Sequence, residues 1–86
     1  MPKMPKPEIN LKLIENITDV KDEIYRDYLN SIEDVFTLYS VYINENEVAV
    51  CNIKKNDTKF EMVDFIGSGS IIKLIEEKLR SWESLS

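Results

Sequence analysis

Between Glu8 and Glu15 apolar and polar residues alternate, with Ile9, Leu11 and Leu13 set against Asn10 and Lys12. A period of two is that of a strand with one buried side. The same stretch also fits a helical stripe through Ile9, Leu13, Ile17, Val20 and Ile24, as part of one helix from Pro7 to Ser31. That helix would leave Leu11 and Ile14 off its buried side, so the strand is preferred. Thr18 and Asp19 then offer side-chain acceptors to the free amides of a first helical turn. Val20, Ile24, Tyr28 and Ile32 follow at intervals of four, which predicts a buried helical stripe ending near Asn30–Ser31.

Val35 to Ile43 is β-branched or aromatic at every position except Leu38 and Ser40, which suits a pleated surface. Asn44-Glu45-Asn46 reads as a turn, because Asn tolerates left-handed backbone. Glu47–Ile53 is a second apolar run, Lys54–Asp57 a second turn and Lys59–Ile66 a third run. Three strands joined by short polar turns form an antiparallel meander. After Gly67-Ser68-Gly69-Ser70 comes an amphipathic helix with Ile71, Ile72, Ile75, Leu79 and Trp82 on one side, and Ser70 is its expected cap.

The expected order is β-α-β-β-β-α, an α+β two-layer sandwich. A helical crossover between the first two strands implies that they run parallel, giving a four-stranded mixed, mostly antiparallel sheet with both amphipathic helices on one face. Residues 1–7 hold three prolines and two lysines and read as a flexible basic tail; residues 8–86 read as a single domain. The strand over 35–43 is apolar on both sides, more than helices on one face would cover. The expectation is therefore that its open face meets another protein, a second copy included, or that the sheet is covered on both sides.

Composition narrows the chemistry. The 86 residues include no histidine and a single cysteine, Cys51. Histidine-dependent triads, histidine zinc ligands and an internal disulfide are excluded. No nucleophile–base pair is visible, which argues against an enzyme. The lone thiol and the lack of a secretory pattern point to the cytoplasm. No apolar run reaches membrane-span length.

The net charge is −5, and residues 8–53 hold ten acids and three bases. That excess disfavours nucleic acid and anionic membranes as partners. It favours a protein partner with a basic surface, met by an acidic docking face with Asp22, Tyr25, Asp27 and Tyr42 as candidate contacts. Tyr28 and Tyr39 are assigned to the core. The alternative for the same acids is a solvated helix face, or a calcium site at Asp19, Asp22, Glu23, Glu33 and Asp34, with the turn Asn44–Glu47 as a second oxygen cluster. Gly67, Ser68, Gly69 and Ser70 form a candidate anion site, since glycines let amides converge before a helix. The alternative there is a turn that only shapes the backbone. Cys51 is expected to be buried and inert, and Asp64, within an apolar run, to face solvent.

Overall fold

The computed structural model describes residues 8–85; the expected tail at 1–7 lies outside the described residues. Four strands are present: β1 (Ile9–Leu13), β2 (Thr37–Ile43), β3 (Asn46–Asn56) and β4 (Lys59–Gly67). Helix α1 (Glu23–Ser31) lies between β1 and β2, and α2 (Ile72–Ser84) follows β4; short 3₁₀ turns occupy Ile17–Asp19 and Gly69–Ile71. The protein is α+β, a four-stranded antiparallel sheet with two helices, and the strands lie side by side in the order β1-β2-β3-β4. Asn44 and Asp57 turn the two hairpins at φ of 57° and 54°. Both have short polar side chains that accept the left-handed region at low cost.

The expected parallel pairing of β1 with β2 is corrected: the two are antiparallel, Leu13 facing Tyr39 and Ile9 facing Ile43. The reason is an extra pass of the chain. After Leu13 the backbone runs back towards the β2–β3 hairpin, where the Tyr25 hydroxyl donates to the Val48 carbonyl. Helix α1 then returns, and the Asp34 carbonyl accepts from Asn52, which pairs with Leu38 near the start of β2. One crossing would have made the strands parallel. Two crossings make them antiparallel.

The helices are also not on one face. Ile71, Ile75 and Leu79 pack with Ile9, Val41, Ala49, Cys51 and Ile53. Val20 and Leu29 pack with Leu38 and Val50, the alternate positions of the same strands. Successive strand residues point to opposite sides, so α2 covers one face and α1 the other. The two-sided apolar character of β2 is thereby satisfied among the described residues, so of the two expectations it is coverage on both sides that the structure shows.

Two bulges adjust the pattern. Val41 pairs with Ala49 and Tyr42 with Glu47, which leaves Val48 unmatched. Asn52 pairs with Asp64 and Ile53 with Met62, which leaves Val63 unmatched. An extra residue reverses the alternation beyond it. Phe65 therefore shares the α2 side with Phe60 and Met62, as the packing shows.

Helix α1 starts later than the periodicity indicates. Val20 is buried but extended, at φ −74° and ψ 121°. Its Oδ1 accepting from the Ile24 amide at 2.8 Å, Asp22 caps the helix in place of Thr18 or Asp19. The buried stripe is accordingly Tyr25, Tyr28, Leu29 and Ile32, while Ile24 is 66% exposed. Helix α2 keeps its expected face, with Trp82 packed on Tyr39 and Phe60 at ring separations of 5.4 and 5.5 Å.

Candidate functional site

The acidic residues do not converge. Asp19 sits in the first 3₁₀ turn, Asp22 and Glu23 begin α1, and Glu33 and Asp34 lie beyond its end. A nine-residue helix separates the two acidic pairs, a rise of roughly 13 Å. Among the described residues no three His, Cys, Asp or Glu side chains form a group that could hold a metal ion. Asp19, Asp22, Glu23, Glu33 and Asp34, the residues expected for a calcium site, are not brought together in such a group. These acids stand in separate places, and the Asp22 carboxylate serves the helix as its cap.

The turn cluster resolves differently. Glu47 Oε2 accepts from Ser40 Oγ at 3.0 Å and from the Tyr42 hydroxyl at 3.5 Å. Glu47 thus binds its own sheet on the α1 side rather than forming a cage with Asn44–Asn46. Its Oε1 and the Nε of Arg26 are buried without a hydrogen-bond partner. The Tyr42 hydroxyl is raised from its ordinary pKa by burial first, then by the Glu47 charge and bond. Tyr25 is raised by burial, with the charges of Asp22 and Glu47 adding to it. The Tyr25 and Tyr42 hydroxyls both donate within the chain, to the Val48 carbonyl and to Glu47, while Asp27 and Glu23 remain exposed on α1.

The polar feature that periodicity does not reveal is Asn52. It is fully buried. Its Nδ2 donates to the Asp34 carbonyl at 2.7 Å and to Asp64 Oδ2 at 2.9 Å, and its Oδ1 accepts from the Phe36 amide at 2.9 Å. One side chain thus ties the α1–β2 connection to β3 and β4. Asp64 does not simply face solvent: it is half-buried with Asn52 as partner. Beside this knot lies a groove of about 640 Å³, lined in part by Tyr28, Phe36, Glu33, Asp34 and Lys54. The only sequence cue to Asn52 is a polar residue inside an otherwise apolar run.

The loop after β4 is exposed from Gly67 to Ser70. Gly67 has a φ of 152°, and a Cβ there would lie 2.5 Å from the Ala49 Cβ. Close approach of β4 to β3 requires glycine at that position. Ser70 does not cap α2: Ser68 and Ser70 bond each other through their hydroxyls at 2.8 Å, and the 3₁₀ turn precedes the helix. The amides at the loop thus open a three-residue turn, not the longer helix that would give an anion a full dipole. Cys51 is free and buried, and burial pushes its thiol up to about 12. A thiol in that state is a poor nucleophile at neutral pH. Among the described residues no helix is long and apolar enough to cross a membrane. Compared with protein-family models, with curated proteins and with solved structures, the chain matches none of them.

Proposed function

We propose that the chain is a small, non-catalytic, cytoplasmic protein-interaction module whose α1 side meets a basic protein surface. The observation that carries this reading is the exposure of Glu15, Asp19, Glu23, Asp27, Glu33 and Asp34 along one connection, with Lys21 the exposed base among them. Solvated carboxylates cost nothing to present and give a field that speeds encounter with a cationic partner. The contact set expected from sequence shifts accordingly. Asp27 and Glu23 become its centre, and Tyr25 and Tyr42 support the surface from beneath.

The test is an amide NMR titration with a lysine-rich peptide at physiological salt. The reading expects shifts concentrated on residues 15–34 and lost in a Glu23→Lys, Asp27→Lys variant. Shifts spread evenly over the surface, or centred on α2, would refute it.

A further inference from the structure

With both sheet faces covered, the remaining unpaired backbone lies at the two sheet edges, β1 and β4. The β4 edge is blunted. The Phe60 amide points away from β3 and donates to Glu83 Oε2 on α2 at 2.8 Å. The bulge at Val63 then breaks the repeat. Bulges and edge charges are devices that prevent strand addition.

The β1 edge carries one charge, Lys12, but among the described residues no bulge interrupts its register and no side chain of a helix takes up its outward amides. The Ile14 amide donates to the Leu38 carbonyl, continuing the β1–β2 register. Alternate residues of an antiparallel strand bond to opposite sides. Asn10 and Lys12 therefore share the inward direction of Ile14, and the amides and carbonyls of Ile9, Leu11 and Leu13 point outward. Among the described residues no hydrogen bond reaches them from outside the sheet. Leu13 is 50% exposed at this edge.

We infer that a second copy of this chain pairs here, β1 antiparallel to β1, with Leu11 on the two-fold axis. In this register each outward amide meets an outward carbonyl, Leu11 opposite its own copy and Leu13 opposite Ile9. The apolar row on the α2 side becomes continuous across the axis and covers Leu13. On the other side Lys12 stands opposite Asn10, with Glu8 and Lys12 of the second copy on its two diagonals, so symmetry gives two opposite-charge contacts against one like-charge contact. The acidic α1 surfaces cannot make such a contact with themselves, because like charges would face each other. This inference does not rest on the basic-partner reading.

Analytical ultracentrifugation across a concentration series tests it, with circular dichroism to confirm that each variant is folded. A monomer–dimer equilibrium is expected, weakened about tenfold or more by Leu13→Glu, which places a charge at the paired edge, and unchanged by Val63→Lys on the opposite edge. Oxidised Leu11→Cys is expected to form a covalent dimer, since paired residues of this type lie about 5.5 Å apart between Cα atoms. A monomer at millimolar concentration with no Leu11→Cys crosslink would overturn the inference. So would a dimer that Val63→Lys breaks and Leu13→Glu spares.

Discussion

The two faces of the sheet are held by different means. The α2 face is an apolar layer, closed by Ile75 and Leu79 and by the ring cluster of Trp82, Tyr39 and Phe60. The α1 face has a smaller apolar cluster around Val20, Leu29, Leu38 and Val50. It adds polar ties at Asn52, at Glu47 and at the Tyr25 hydroxyl. The 13-residue helix docks mainly by burial, with one bond from the Phe60 amide to Glu83, whereas the nine-residue helix in a long connection uses several directional bonds to fix its place. Short helices have little stability of their own. Hydrogen bonds supply position where area is scarce.

That contrast can be broken on each side. Ile75→Ala is expected to have the largest effect, a loss of about 4 kcal/mol in urea unfolding, because a fully buried residue leaves a cavity under α2. Leu29→Ala, equally buried, should cost nearer 3 kcal/mol, since the shorter helix can settle into the gap. If Leu29→Ala proves the costlier, the assignment of the principal core to α2 fails.

Asn52→Leu comes next, at about 2–3 kcal/mol, because it orphans the Phe36 amide and the Asp34 carbonyl. Faster amide exchange at Phe36 and through the end of α1 should accompany it, with α2 unchanged. Loss of protection spread evenly over both helices would contradict a local tie.

Alkaline pH then separates the buried thiol from the phenols. Cys51 rises from 9.0 to about 12 in the fold. Below pH 9 both folded and unfolded chains hold this proton, so stability is unaffected. Between pH 9 and about 12 the unfolded chain alone releases it, and stability falls by at most about 1.4 kcal/mol per unit. Tyr25, Tyr39 and Tyr42 are also raised, so their contribution is lost only above their ordinary value of 10.0. A Cys51→Ala variant should accordingly hold its stability to about pH 10 before declining. Equal onset in both proteins would rule out the thiol as the first group to titrate. The smallest effect belongs to Asp22→Ala, about 1 kcal/mol from the lost cap of α1.

Much of the framework is legible in the residues. The alternation at Ile9, Leu11 and Leu13 marks β1, and the β2–β4 meander follows from its apolar runs and Asn or Asp turns. The stripe of Ile75, Leu79 and Trp82 marks α2. Alternation could not show the direction of β1 against β2, because that depends on how many times the connection crosses the sheet. Val20 misled the reading of α1, since an extended residue happened to fall four positions before Ile24. The Val63 bulge explains why both parities of β4 are apolar, but a one-residue insertion leaves no mark of its own. For the candidate site, the acids are visible by type, while their dispersal around α1 and the Asn52 knot arise only from tertiary contacts.

The claim on which the rest depends is that the chain covers both faces of its own sheet, one helix to each. Methyl-to-methyl nuclear Overhauser contacts measure this directly. Leu29 should show contacts to Leu38 and Val50, and Ile75 and Leu79 to Val41 and Ile53, with none joining Leu29 to Ile75 or Leu79. Contacts between Leu29 and either α2 residue would put both helices on one face and contradict the account.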